Sequence, residues 1–185
     1  MNVVVCGKTS CGKSTQIKLI AEKFELKPVF TSTVFREMFE QGKGKGDWWE
    51  TIKGQEFNKK RLENPEFDKK LDEKLMQIAK QDKIVFDSST LAWLLPKENT
   101  FNIWLKGSEE VRVQRVAGRN DISLDEARKK IVQRDKDNFE IYKKVYGIDW
   151  GNDFQPYDLV LNTDYFNAEQ VFEIISVVLE KVLKK

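Results

Sequence analysis

Gly7-Lys8-Thr9-Ser10-Cys11-Gly12-Lys13-Ser14 is the stretch whose residue types and spacing promise chemistry. It fits G-x-x-x-x-G-K-[ST] without a mismatch. Gly7 and Gly12 let the backbone take positive φ and approach a ligand closely, so that several N–H groups point into one concavity. The amine of Lys13 would reach the β- and γ-phosphates of a nucleotide, and the hydroxyl of Ser14 would sit on Mg²⁺. Residues from Gly7 to Thr15 are therefore the expected binding site for a nucleoside triphosphate. The context agrees, with an apolar, β-branched run before the loop and a helical stretch after it.

Other residues could serve the same site. Asp87 ends the apolar run Ile84-Val85-Phe86, where a carboxylate can hold Mg²⁺ through water or accept hydrogen bonds from a substrate; with Ser88, Ser89 and Thr90 following, it also reads as a helix cap. Arg134 falls on an apolar stripe running through Leu124, Ala127, Ile131, Asn138, Tyr142 and Val145. A guanidinium there needs an anion, either a structural carboxylate such as Asp135 or a transferring phosphoryl group. Arg112, Arg115 and Arg119 share one helix face opposite Val113, Val116 and Ala117. Arg112 reads as solvated, while Arg115 and Arg119 adjoin a break at 118–122 where a lid could begin. Trp48, Trp49 and Trp93 suit base stacking or plain packing.

The elements that must position these groups alternate. Strands are expected at 2–6, 27–30, 83–87, 101–106 and 157–162. Helices are expected at 13–24, 34–40, 47–62, 66–81, 108–119 and 123–146, with a last one after the cap Asn167. A glycine-rich break covers 41–46. Thr31-Ser32-Thr33 offers helix caps, and Ser123 with Glu126 a capping box. Such alternation implies an α/β fold with a five-stranded parallel sheet between helical layers. Ligands then bind beyond the carboxyl ends of the strands, where Gly7 and Asp87 converge.

Composition bounds the function. One domain of 185 residues is expected, with 32 basic residues against 30 acidic, which argues against a dedicated nucleic-acid or membrane-surface protein. No apolar run approaches the roughly 20 residues of a membrane span, and no leader is visible, so a cytoplasmic location is expected. The chain has no histidine, which excludes His-based triads and His-ligated zinc. Cys6 reads as a small buried strand residue and Cys11 as a reactive loop thiol. A GTPase would carry a guanine-reading N-K-x-D, which is absent. A phosphate loop with several arginines fits a phosphotransferase that holds two anions and excludes water.

The chain resembles the nucleoside monophosphate kinases, and among them the archaeal type of cytidylate kinase. The likeness rests on the phosphate loop, Val34-Phe35-Arg36-Glu37-Met38, Asn64-Pro65-Glu66-Phe67-Asp68-Lys69-Lys70-Leu71-Asp72, Ile103-Trp104-Leu105-Lys106, Arg115 and Arg119, and Arg134-Asp135. It rests above all on Tyr146-Gly147-Ile148-Asp149 and Tyr157-Asp158-Leu159-Val160-Leu161-Asn162-Thr163. The resemblance implies a P-loop kinase fold, with an acceptor-binding insert at 32–81 and a lid at 118–135. It implies ATP as donor, Mg²⁺ as cofactor, CMP or dCMP as acceptor, and a monomer. Ser32, Arg36, Asp87 and Ser88 would hold the acceptor, Arg36 by its phosphate. Arg115 would lie against the adenine, and Lys13, Asp87, Arg119 and Arg134 would serve the transfer, with Ser14 and Asp87 toward the metal. Three positions depart: Ser89 and Ile141 stand where the family commonly has arginines, and Asn138 where bacterial relatives have aspartate. Two other readings remain: a kinase for another acceptor, and an ATP-binding module without transfer.

Overall fold

A computed structural model describes residues 1–39 and 52–183. The glycine-rich break at 41–46, Trp48, Trp49, Lys184 and Lys185 lie outside those residues.

The apolar runs form five strands: β1 (Asn2–Gly7), β2 (Lys27–Phe30), β3 (Ile84–Asp87), β4 (Thr100–Lys106) and β5 (Leu159–Asn162). They make one sheet in the order β2-β3-β1-β4-β5, and every pairing is parallel. β1 is buried along its whole length, which is why it reads as continuous Val-Val-Val-Cys rather than an alternation. After β1 the chain lays β2 and β3 on one side, then crosses to lay β4 and β5 on the other. The crevice beyond the end of β1 is therefore the switch point of the sheet.

Eight α-helices lie among the described residues: α1 (Lys13–Phe24), α2 (Thr31–Phe39), α3 (Ile52–Glu63), α4 (Glu66–Ile78), α5 (Leu91–Leu94), α6 (Glu109–Asn120), α7 (Leu124–Tyr146) and α8 (Ala168–Val182). Alternate residues of the strands feed two cores. Val3, Val5, Ile103 and Leu105 pack on Ile17 and Ile20 of α1 and on Val171, Ile175 and Leu179 of α8. Val4, Cys6, Phe86 and Trp104 face Phe35 of α2, Phe57 of α3, Leu71 and Leu75 of α4, and Ile141 and Tyr142 of α7. A third cluster of Val113, Val116, Ala117, Ala127 and Ile131 zips α6 to α7 as a hairpin. Ser108, Ser123 and Asn167 cap α6, α7 and α8 by accepting from backbone N–H groups, and Gln170 completes a capping box with Asn167.

Several expectations shift. Gly118 lies inside α6, with open space on its side, so the break narrows to Asp121–Ser123. Thr31, Ser32 and Thr33 form the first turn of α2 rather than preceding it. Leu124 is 56% exposed and leaves the α7 stripe. The short α5 carries no periodic signal in the sequence. No described helix is long and apolar enough to cross a membrane.

Candidate active site

The ends of β1, β2 and β3 open into one cavity of about 780 Å³. Gly7 must be glycine: its φ is +147°, and a Cβ there would lie 2.5 Å from the Leu105 carbonyl oxygen. Gly12 at φ +93° turns the loop into the N-terminus of α1, so free N–H groups and a positive dipole end face the cavity. Lys13 Nζ donates to the carbonyls of Gly7, at 2.8 Å, and Lys8, at 2.9 Å, which holds the amine at the mouth of the loop.

Of the expected site residues, the cavity wall includes Gly7, Thr9, Ser10, Gly12, Lys13, Ser14, Thr15, Ser32, Arg36, Asp87, Ser88, Arg119 and Arg134. Lys8, Cys11 and Arg115 are not in that wall. Lys8 packs beside Gly151. Cys11 is 1% exposed, and burial raises its thiol pKa, so the expectation of a reactive loop thiol fails. Cys6 donates to the Ser88 carbonyl at 2.6 Å, and burial pushes its thiol up to about 12. Arg115 ties α6 to the far side of the loop, donating to Thr163 O at 2.9 Å, Thr163 Oγ1 at 3.0 Å and Ser10 O at 3.5 Å.

Arg112 is not solvated. It is 5% exposed and pairs with Asp135 at 2.6 Å. Its Nη1 also donates to Thr9 O at 3.1 Å, and Thr9 N donates to Asp135 Oδ1 at 3.1 Å. One buried ion pair thus holds both backbone groups of Thr9, clamping the α6–α7 hairpin to the phosphate loop. Asp135 is engaged by Arg112, and Arg134 is a half-buried part of the cavity wall. The capping role open to Asp87 falls instead to Ser88, whose Oγ accepts from Thr90 N and Leu91 N. Arg36 Nε donates to Ser32 O at 3.2 Å, so the first turns of α2 aim both residues at the cavity.

The sequence reading missed Arg61, Asp68, Asp72, Tyr142 and Trp150, which also line the cavity. Arg61 grips Asp68 bidentately, at 3.1 and 2.6 Å, with both side chains buried. Burial opposes the charge on Arg61, but Asp68 and Tyr142 acting together outweigh it and the guanidinium pKa is raised. Asp72 accepts from Thr90 Oγ1 and Tyr146 Oη, each at 2.7 Å. Burial pushes Asp72 up to about 6 despite those bonds. The signal was present: Asp68 and Asp72 are four apart beside the Leu71–Leu75 stripe, and Arg61 is four after the buried Phe57.

A phosphate loop at the switch point of a parallel sheet, ringed by cations, defines a P-loop phosphotransferase. The cytidylate kinase-like family model matches residues 7–165, and the chain belongs to that family. It is 34% identical to the cytidylate kinase of Methanocaldococcus jannaschii over 100% of both chains. It is 35% identical to that of Pyrococcus horikoshii, over 96% of this chain and 88% of the relative. Among solved structures, a shikimate kinase from Bacteroides thetaiotaomicron shares the fold at TM-score 0.62 and 15% identity, covering 98% of each chain. An uncharacterized protein from Eubacterium ventriosum does so at TM-score 0.65 and 14% identity, covering 97% of this chain and 98% of its own. The chain is thus a kinase, and ATP is the phosphoryl donor that its family implies.

Proposed function

We propose that this enzyme transfers the γ-phosphoryl group of ATP to CMP or dCMP. The observation that carries this reading is the single cavity that joins the phosphate loop to an acidic, aromatic-walled far end. The relatives named cytidylate kinase over the full chain support the acceptor. In this reading Gly7 to Thr15 bind the donor phosphates. Arg36, with Ser32, Asp87 and Ser88, holds the acceptor, residues 32–81 form the insert that receives it, and 118–135 form the lid. Phosphoryl transfer of this kind proceeds through a loose, in-line transition state, so positioning and charge do most of the work. Lys13, Arg119 and Arg134 neutralise the oxygens of the moving group, and no strong general base is required. Arg115, hydrogen-bonded to Ser10 and Thr163, borders the expected adenine position.

Ser14 and Asp87 offer hard oxygen donors on the same cavity and so suit Mg²⁺. The described residues contain no cluster of three or more metal-ligating side chains, so phosphate oxygens and water would complete the shell. Bound there, the ion would offset charge on the β- and γ-phosphates. The enzyme acts as a cytoplasmic monomer in this reading.

The test is ADP formation with CMP, dCMP, UMP, AMP and dTMP. Stimulation by CMP or dCMP is expected, and no stimulation by any monophosphate would overturn the reading. Lys13→Ala and Arg134→Ala should each lower turnover at least about a hundredfold while the protein stays folded. Near-normal turnover in Arg134→Ala would assign that guanidinium a structural role instead.

A further inference from the structure

A second cavity, of about 540 Å³, lies between α3 and the α6–α7 hairpin. Small-molecule sites occupy roughly 300–1,000 Å³, so its size suits one. Leu62 of α3, Val116 of α6 and Ile131 of α7 give it apolar surface. The charged groups around that surface are mostly cationic. Lys59, Lys129, Lys130 and Arg134 line it, against a single acid, Asp137, among the described residues. That acid is engaged: its Oδ2 accepts from Asn58 Nδ2 at 2.5 Å and its Oδ1 from Gln133 Nε2 at 2.7 Å. Lys130 is paired with Glu126 at 2.9 Å. The ammonium groups of Lys59 and Lys129 have no partner among the described residues. A bare anion would leave the apolar surface wet, and an apolar molecule would leave both ammonium groups unneutralised. An aromatic acid with one or two negative charges satisfies both.

This cavity meets the active one at shared residues. Thr9 and Arg134 belong to the walls of both. Thr9 is the loop residue that Arg112 and Asp135 hold. Asn58, in the second wall, accepts from Arg61 Nη1 at 2.9 Å, and Arg61 lines the active cavity. A ligand here therefore touches the phosphate loop, the lid and the insert at once. Arg134 is the decisive contact. Its guanidinium carries one positive charge, and an anion in the second cavity competes for it with the phosphoryl group in flight. Loss of an interaction made only in the transition state lowers kcat and leaves KM unchanged.

We infer that the second cavity is an inhibitory effector site for small aromatic acids, which hold Arg134 away from the transferring phosphoryl group. The inference rests on the proposed role of Arg134 in transfer. Lys59 and Lys129 bind the acid group, and Leu62, Val116 and Ile131 cover the ring. Inhibition is noncompetitive toward ATP and the acceptor, because the ligand displaces neither.

The experiment uses the full chain and anilinonaphthalenesulfonate, an aromatic acid whose fluorescence rises when it leaves water. Titrations are run with the active cavity filled by a non-hydrolysable ATP analogue and CMP, which blocks binding there. One probe per chain should still bind. At saturating probe, kcat should fall at least about fivefold with both KM values unchanged. Lys59→Glu together with Lys129→Glu, at two exposed side chains, should weaken the probe at least about tenfold. Leu62→Trp, which fills the cavity without changing its charge, should do the same. Each rate is referred to the same variant without probe. Loss of binding when the nucleotides are present, wild-type affinity in either folded variant, or a bound probe that leaves kcat unchanged overturns the inference. Transfer to no monophosphate by the wild type would sink the kinase reading and the inhibition with it, while the fluorescence titrations would still decide whether this cavity takes the anion.

Discussion

Asp72 meets two hydroxyl donors and a neighbouring carboxylate, and burial dominates them all, so its carboxyl holds a proton up to about pH 6. The folded protein therefore binds this proton more tightly than the unfolded chain does. The stability that comes with it is fully present below the ordinary carboxylate range near 3.8 and is lost as pH rises to about 6. At roughly 1.4 kcal/mol per pH unit across that window, ionising Asp72 destabilises the fold by about 2–3 kcal/mol at neutral pH. Asp72→Asn carries no such charge. Its unfolding free energy, measured in urea against the wild type, should gain about 2–3 kcal/mol between pH 4 and pH 7. A difference that stays flat with pH would show that Asp72 titrates as an ordinary surface acid. Arg112 teaches the complementary lesson about single residues. Periodicity placed it opposite Val113, Val116 and Ala117, which is correct, yet that opposite face meets the phosphate loop and Asp135 rather than water. A helix pattern reports which face is apolar and says nothing of what covers the other one.

At the scale of elements, the apolar runs and helical stripes marked the architecture well. The expected strands match those observed to within two residues at each end; the central β1, β3 and β4, largely buried, leave nearly unbroken apolar runs. Less legible were contacts between distant elements. Arg61 and Asp68 face each other across the Asn64-Pro65 boundary between α3 and α4, and each alone looks like a solvated helix charge. Gly118 sits inside α6 although glycine costs a helix about 1 kcal/mol, and the zipped α6–α7 core carries that cost. The hairpin's attachment is the most consequential hidden contact. Arg112 and Asp135 grip Thr9 from two helices, and Arg134 neighbours Asp135 in the chain. Breaking a buried pair from one side costs about 3–5 kcal/mol, so Arg112→Met should lower the melting temperature by roughly 6–20 °C and raise the KM for ATP. Arg119→Met, on an exposed side chain of the same helix, should leave the melting temperature within about 2 °C while lowering kcat. Calorimetry and ATP titration of both variants check this, and an Arg112→Met protein with wild-type melting and KM would mean the clamp holds nothing.

For the whole molecule, the topology gathers donor and acceptor functions at one end of one sheet. β1 delivers the phosphate loop, β3 delivers Asp87, β2 delivers the Thr31–Arg36 turn, and the hairpin arches over from β4. The chain's net charge is only +2, yet its cavity runs from a cationic end to an acidic one, so the two nucleotides have a single consistent arrangement. In the proposed reading their phosphates would meet at Lys13 and Arg134, with the adenosine outward and the acceptor base toward the acidic end. If that arrangement holds, one molecule carrying both ends should bind far better than its halves. Joining two ligands across a matched span raises affinity by about 10²–10⁴. A ligand at a hundred times its dissociation constant adds about 2.7 kcal/mol of stability, and a chain of this size gains roughly 2–4 °C per kcal/mol. A polyphosphate linking adenosine to cytidine should therefore raise the melting temperature by more than ATP and CMP supplied together at the same concentration. Equal shifts from the mixed analogue and from ATP alone would mean that the far end of the cavity takes no acceptor base, and the head-to-head arrangement would have to be abandoned.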